Sequence, residues 1–356
     1  MNQKNLDNLT KIKQLDKKNM LASLESLAGQ VKEVWAAAKK IKIAAFKIDN
    51  IVVLGMGGSG LGAHIVRSVF GKEIKAPLSI VHGYHCPGFV SPRSLVIAAS
   101  YSGNTEEVLS AFAEAKKKKA KLAVIAAGGA LAVRAKKEKI PAAIFTTKNN
   151  PCGSPRMGLG YAIFGLAFLL AKFSLMKFGA KEAAAAVATI ARAQKRFGPA
   201  VATKKNPAKR IALKVANQSV WFVSAEHLSG NAHVAANQMN ENAKRFSGYF
   251  LIPELNHHLL EGMLNPASNK KNLFFVFLES KLFDQKNQKR FSVTKSILSQ
   301  NKIVCESVAL TEKTKFGQAL EAIVFSGYAS FYSAMAVGID PTPIPFVDYF
   351  KKTLAK

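Results

Sequence analysis

The chain has 356 residues, with 51 Lys plus Arg against 22 Asp plus Glu, a formal net charge of +29. Hydrophobic residues are 49% and charged residues 21%, the balance of a globular rather than a disordered chain, and the length suggests two domains, each able to bury its own core. The charge invites a nucleic-acid partner, but no zinc finger or RNP-like aromatic motif accompanies it, so a specific nucleic-acid complex is not expected.

Residues 1–19, MNQKNLDNLTKIKQLDKKN, hold no apolar core and no small-residue cleavage site, so they do not read as a secretory signal. Residues 1–45 read as helical, with Leu21, Leu24, Leu27, Val31 and Val34 at helical spacing. A short apolar run, Ile51–Leu54, then ends in glycines, and similar runs follow at Leu78–Val81, Leu95–Ala99, Leu122–Ala126 and Ala142–Phe145. Continuous apolar strands alternating with helical segments predict a parallel sheet covered on both faces. The most apolar stretch, Met157–Ala171, is interrupted by Lys172, is short for a membrane span and predicts a buried helix over about 156–178. No membrane partner is expected.

Residues 181–210 are rich in Ala and Lys and predict a helix followed by a linker, punctuated by Gly198, Pro199, Asn206 and Pro207. A second set of strands follows at Ser219–Ser224, Tyr249–Ile252, Leu273–Leu278 and Ile303–Val308, with helices expected over about 227–244 and 284–300. A helix from Gly317 to Val337 precedes GIDPTPIP, where Pro341, Pro343 and Pro345 break any helix. A last short helix carries Phe346 to Leu354. The expected fold class is α/β, with two three-layer domains, each a parallel sheet flanked by helices. The expected divisions are a helical segment over 1–45, a first domain over 46–195, a second over 196–312 and C-terminal helices over 313–356. Cys86, Cys152 and Cys305 lie far apart without a CxxC pair, which argues against a disulfide framework and points to the cytoplasm.

Gly55, Gly57 and Gly60 satisfy GxGxxG between a strand and a helix. A dinucleotide site needs an acidic residue at the end of the second strand, and His82 and Gly83 stand there instead. No Walker lysine is present, because Leu61 follows Gly60. General anion capture by backbone N–H groups remains, with Gly57 and Gly58 allowing close approach and Ser59 adding a hydroxyl; the bland reading is a tight turn with no ligand. A second loop, Ser100-Tyr101-Ser102-Gly103-Asn104-Thr105, follows the strand LVIAA. Thr105 can simply cap the next helix. Two such loops on nearby strands can instead form one neutral cradle for a phosphate.

GMGGSG followed by SYSGNT resembles the sugar isomerase (SIS) domain, whose hydroxyl-rich loops bind phosphosugars. The resemblance implies that Gly57, Gly58, Ser59, Ser100, Ser102 and Thr105 bind the phosphate. Pro155-Arg156-Met157-Gly158 opens the apolar helix, and a cation at a helix N-terminus suggests an anion to meet; otherwise Arg156 is a solvated arginine. NENAK at 240–244, PELNH at 253–257 and DYFKK after GIDP resemble the bifunctional phosphoglucose/phosphomannose isomerases, which carry two SIS domains. After the histidine the usual Asn-Glu and Gly-Trp are replaced by His258, Leu259, Leu260, Glu261, Gly262 and Met263.

That resemblance implies aldose–ketose isomerisation of glucose 6-phosphate, and of mannose 6-phosphate, to fructose 6-phosphate. Glu241 would move the proton between C2 and C1 through a cis-enediol, from a partly desolvated position. His257 would protonate the ring oxygen. Lys351 would assist ring opening or, with Arg156, stabilise the enediolate. It also implies a homodimer with a histidine donated across the interface. Glu241 and Lys244, three apart on a helix, can instead be a surface ion pair. A non-catalytic SIS sensor is the alternative reading. No cofactor is expected. His82, His85 and Cys86 are three potential metal ligands within five residues, but no second cluster has structural-zinc spacing, so no metal is expected either.

Overall fold

The computed structural model describes residues 6–44, 46–215 and 217–354. Three helices open it, α1 (Leu9–Leu15), α2 (Met20–Glu25) and α3 (Leu27–Lys39). The break between the first two is fixed by Asp16, whose carboxylate accepts from the N–H groups of Met20 at 2.7 Å and Leu21 at 2.8 Å.

Five parallel strands follow: β1 (Asn50–Leu54), β2 (Leu78–Val81), β3 (Ser94–Ser100), β4 (Lys121–Ala126) and β5 (Ala142–Ile144). Their order is β2-β1-β3-β4-β5. The crossovers carry α4 (Gly57–Phe70), α5 (Glu106–Lys117) and α6 (Gly129–Lys137), and α7 (Leu159–Lys172) follows the sheet. Successive strand residues point to opposite faces, so a sheet covered on both sides needs apolar runs without alternation. Ile51, Val53, Leu95, Ile97 and Ile125 join the large core, while Val52, Leu54, Val96, Ala98 and Val124 join a smaller one closed by Val108, Phe112 and Leu131. β1 lies between β2 and β3, so consecutive connections leave it to opposite sides. That makes the carboxyl ends of β1 and β3 the switch point where open α/β sheets bind ligands.

The second domain repeats the plan. The helices that follow α7 are α8 (Ala180–Phe197), α9 (Pro207–Lys214), α10 (Ser229–Ala243), α11 (Leu255–His258), α12 (Asn269–Asn272), α13 (Gln285–Gln300) and α14 (Lys315–Ala336), with α15 (Pro345–Leu354) last. Strands β6 (Ser219–Ala225), β7 (Ser247–Ile252), β8 (Leu273–Glu279) and β9 (Val304–Ala309) form a parallel sheet ordered β7-β6-β8-β9, matching the first four strands of the other sheet. The large core runs through both domains. α14 is buried from Gly317 to Met335, and α10 packs on it through Asn231, Gln238 and Asn242.

The expected linker around Pro207 is a helix. Pro207 takes the first helical position, where its missing N–H costs nothing, and Asn206 caps it by accepting from Ala208 and Lys209. Among the described residues no helix is long and apolar enough to cross a membrane. The apolar segment ahead of Lys172 is α7, buried in the core as expected.

Candidate active site

The glycine loop and the serine loop leave adjacent strands, with Leu54 paired to Ala98. Ser59 accepts from the Tyr101 N–H at 2.8 Å, which stitches the two loops together. Gly58 is required by close approach: a Cβ there would lie 2.6 Å from the backbone nitrogen of Arg156. The first turn of α4 therefore touches the short 3-10 turn Pro155–Met157. In the serine loop, Gly103 has φ +73° and its missing side chain makes room for the Gly128 carbonyl.

The hydroxyls divide into two groups. Ser100 is buried, shares a 2.8 Å hydrogen bond with the Thr105 hydroxyl and accepts from the Gly103 N–H at 3.1 Å. Ser102 is exposed and half-buried Ser59 and Thr105 stand near it in the loop pair. Thr105 sits at the N-cap of α5 without bonding back to its own helix, and Met56 at the N-cap of α4 has no side chain able to do so. Both helices thus leave first-turn N–H groups without a side-chain cap, where an anion is favoured.

Arg156 is 1% exposed and is not the solvated arginine considered from sequence. Its Nε donates to Asn242 Oδ1 at 2.5 Å and its Nη1 to Glu241 Oε2 at 3.0 Å. Its Nη2 donates to the carbonyls of Pro341 at 3.1 Å and Thr342 at 2.9 Å. Burial pushes the guanidinium below its usual range, and Glu241 pulls it back. Four of the five guanidinium protons are thereby used, leaving one on Nη1. Glu241 lies in the last turn of α10, half-buried, beside the glycine loop through Arg156 and Gly58.

Gln238, Asn242 and Ser330 were not singled out from sequence. Asn242 donates to Ser330 at 3.0 Å, Gln238 donates to the Arg156 carbonyl at 3.3 Å and accepts from Ser326 at 2.9 Å. For Gln238 and Ser330 the sequence signal is polar residues at helical spacing in two otherwise buried helices, α10 and α14; Asn242 also lies within NENAK, although the motif gives it no role of its own. The surface ion pair between Glu241 and Lys244 is absent: Lys244 donates to backbone carbonyls of Glu241, Asn242 and Pro341.

His257 and Lys351 are not brought to this cluster. His257 is exposed on α11, and Lys351 is exposed on α15, a helix with no buried residue. His82, His85 and Cys86 diverge as well. Cys86 is buried and donates to the Ala111 carbonyl, while His85 pairs with Glu114 at 3.4 Å. His82 Nδ1 donates to the Gly55 carbonyl at 2.6 Å, and its Nε2 shares a hydrogen bond with His64 Nε2, 3.1 Å away. His233 stands edge-on to His64 at 4.6 Å and stacks on Tyr249. Among the described residues no three His, Cys, Asp or Glu side chains are placed to hold a metal ion.

Two family models match the chain: the SIS domain over residues 46–148 and the bacterial phospho-glucose isomerase C-terminal SIS domain over residues 204–354. The chain is 30% identical over 344 residues to the bifunctional phosphoglucose/phosphomannose isomerase of Caldicellulosiruptor bescii, a match covering 95% of this chain and 99% of the relative. It is 28% identical over 312 residues to a protein of the same name from Thermoplasma volcanium, covering 87% and 92%. Among solved structures, a hypothetical protein from Thermus thermophilus matches with a TM-score of 0.71 at 16% identity, over 95% of this chain and 90% of that one. The C-terminal domain of glucosamine-fructose-6-phosphate aminotransferase from Francisella tularensis matches at 0.66 and 15% identity, over 91% and 98%. At these identities the solved structures speak for the fold alone.

The imidazole cluster makes a testable contribution to stability. Burial pushes His64 down to about 3, and His233, His82 and Arg67 push the same way. The unfolded chain therefore binds a proton near pH 6.5 that the folded chain refuses, so stability is retained above that pH and lost as pH falls from 6.5 toward 3. Between pH 7 and pH 5 this site is expected to account for about 1–2 kcal/mol, allowing for its partial exposure. Urea unfolding of wild type and His64→Gln at both pH values checks it: the variant should lose less on acidification, and an equal loss would exclude His64 as the source.

Proposed function

Because the chain belongs to the bifunctional phosphoglucose/phosphomannose isomerase family, we propose that it interconverts glucose 6-phosphate, and mannose 6-phosphate, with fructose 6-phosphate. The observation that carries the reading is a carboxylate held by a buried guanidinium beside two hydroxyl-rich loops at a sheet's switch point. The loops and the first turns of α4 and α5 take the phosphate, with Ser59, Ser102 and Thr105 as hydroxyl donors and Gly57 and Gly58 allowing the backbone close. Ser100, whose hydroxyl is engaged with Thr105, contributes by holding the loop in shape.

Glu241 removes the proton from C1 of the open-chain ketose and returns it to C2, passing through the cis-enediol. Arg156 holds the Glu241 carboxylate in one orientation, and its remaining Nη1 proton is available to the enediolate oxygen. Rotation about C2–C3 of the open chain presents either face of C2, so one base serves the glucose and mannose configurations. Ring opening needs an acid at the ring oxygen, assigned to His257 with Lys351 assisting. Three cysteines with no disulfide suit a cytoplasmic setting.

His257 and Lys351 stand outside the site in one chain, which supports completion of the site by a second copy. α15 supports the same reading. Phe346, Tyr349, Phe350 and Leu354 fall on one side of the helix at spacings of three, four and eight from Phe346, and they are 88%, 71%, 61% and 63% exposed. A homodimer that covers this face would give the helix a partner.

Two outcomes are expected. Wild-type protein incubated with fructose 6-phosphate and a chelator should form both glucose and mannose 6-phosphates. Glu241→Gln should still bind fructose 6-phosphate while turnover falls about 10²–10⁴-fold. If neither product forms, the protein is a phosphosugar binder and not an isomerase; retained turnover in the variant removes Glu241 from the mechanism. In light scattering, wild type should be a dimer and Phe346→Asp/Phe350→Asp a monomer with little activity. An active monomer would remove the second copy from the site.

A further inference from the structure

Lys244 ends α10 in a left-handed conformation, φ 50° and ψ 39°. Glycine is the usual residue there, because a Cβ makes the conformation unfavourable by roughly 1 kcal/mol. Lys119, Lys139 and Lys302 adopt the same conformation elsewhere in the chain; what sets Lys244 apart is that its ammonium is engaged. Nζ donates to the carbonyls of Glu241 at 3.0 Å, Asn242 at 3.3 Å and Pro341 at 2.7 Å. The first two belong to the last turn of α10, which carries the carboxylate. Pro341 is 97 residues away, at the start of the segment leading to α15, and its carbonyl also accepts from Arg156.

The two cations therefore close a ring of contacts. Arg156 holds the Glu241 carboxylate and the carbonyls of Pro341 and Thr342; Lys244 holds the Glu241 backbone and the same Pro341 carbonyl. No other hydrogen bond among the described residues joins α10 or the Pro155–Met157 turn to residues 340–354. Beyond Thr342 the chain runs to α15, which has no buried residue. The side-chain hydrogen bonds that reach the arm carrying Lys351 from α10 and the Pro155–Met157 turn therefore gather at this point.

We propose that Lys244 is a positioning residue for the isomerase reaction, tying the C-terminal arm to the helix turn that carries Glu241. The inference rests on the isomerase reading above. It assigns Lys244 no contact with substrate: without its ammonium, Glu241 and the hydroxyl loops remain in place, while the arm keeps only the hydrogen bonds from Arg156 at this point.

The charge of Lys244 gives the tether a pH dependence. Lys244 is exposed as a whole residue, but the part of its side chain against the Pro341 carbonyl is half-buried, and that desolvation pushes its ammonium down to about 8, with Arg156 on the neighbouring turn acting in the same sense and Asp340 and Glu241 opposing. An ammonium offers three protons to three carbonyls; the free amine offers two and turns a lone pair toward the third. The tether is complete below pH 8 and weakens as pH rises through it.

Lys244→Gly tests this, because glycine suits the left-handed cap and the variant should fold with wild-type stability or slightly better. Expected are near-unchanged binding of fructose 6-phosphate, a kcat lowered at least tenfold, and faster amide exchange over residues 340–354. The wild-type fall in kcat above about pH 8 should be missing from the variant, and Lys244→Arg should restore part of kcat. A kcat within twofold of wild type, or unchanged exchange over the arm, overturns the proposal. Glu241→Gln run alongside separates the two claims. If it stays active, the assignment of the base fails. If it is inactive while Lys244→Gly is normal, only the tether fails. Should wild type turn nothing over, the isomerase reading falls and the exchange comparison alone decides the tether.

Discussion

A buried guanidinium must be neutralised and have its donors satisfied, or its burial is strongly unfavourable. Arg156 meets that requirement with partners drawn from two distant parts of the chain, Glu241 and Asn242 on one side and Pro341 and Thr342 on the other. The demand fixes the end of α10, the turn before α7 and the segment after α14 against one another. It also brings a carboxylate beside loops that belong to the other domain. The site is thus a consequence of how one buried charge is satisfied. Gly58 is part of the same constraint, since any larger residue would push the Arg156 turn away from the loops.

The +29 charge has little to do with this geometry. Lys116, Lys117, Lys119, Lys136, Lys137, Lys270 and Lys271 are exposed at helix ends and turns, away from the hydroxyl loops. The loops themselves are uncharged. A positive surface draws anionic metabolites toward the protein and attracts polyanions weakly, an effect that salt screens. In the proposed reading, selection among anions falls to neutral donors held at fixed positions, while Arg156 and Lys244 are engaged with internal partners.

The central strands were legible because they are covered on two faces and their runs are nearly continuous apolar segments, as in β1, β3 and β8, and β3 falls within a residue of its expected ends; the edge strand β9, VCESVA, carries a weaker signal. The hydroxyl loops were legible because strand end, glycine and helix start are adjacent in the chain. The partner of Arg156 was not, because it lies 85 residues away and nothing local marks it. Lys244 looked like a surface ion-pair partner because spacing on an ideal helix ignores the left-handed turn that ends α10. Pro207 looked like a breaker, although Asn206 before it makes a complete helix start. The positions of His257 and Lys351 are the other limit: the family motifs named them, but a single chain does not bring them to Glu241.

The central claim is that the carboxylate of Glu241, oriented by Arg156, carries a proton between C1 and C2. The most direct measurement is to equilibrate fructose 6-phosphate with the protein in deuterated water and locate deuterium by NMR. Proton transfer through an enediol predicts deuterium at C2 of the aldose phosphates and at C1 of recovered fructose 6-phosphate, and none at either position with Glu241→Gln. Because the protonated carboxyl exchanges with solvent in some fraction of turnovers, isomerisation by wild type over many turnovers with no deuterium accumulating at C1 or C2 would point to hydrogen passing directly between the carbons, and would contradict the role assigned to Glu241.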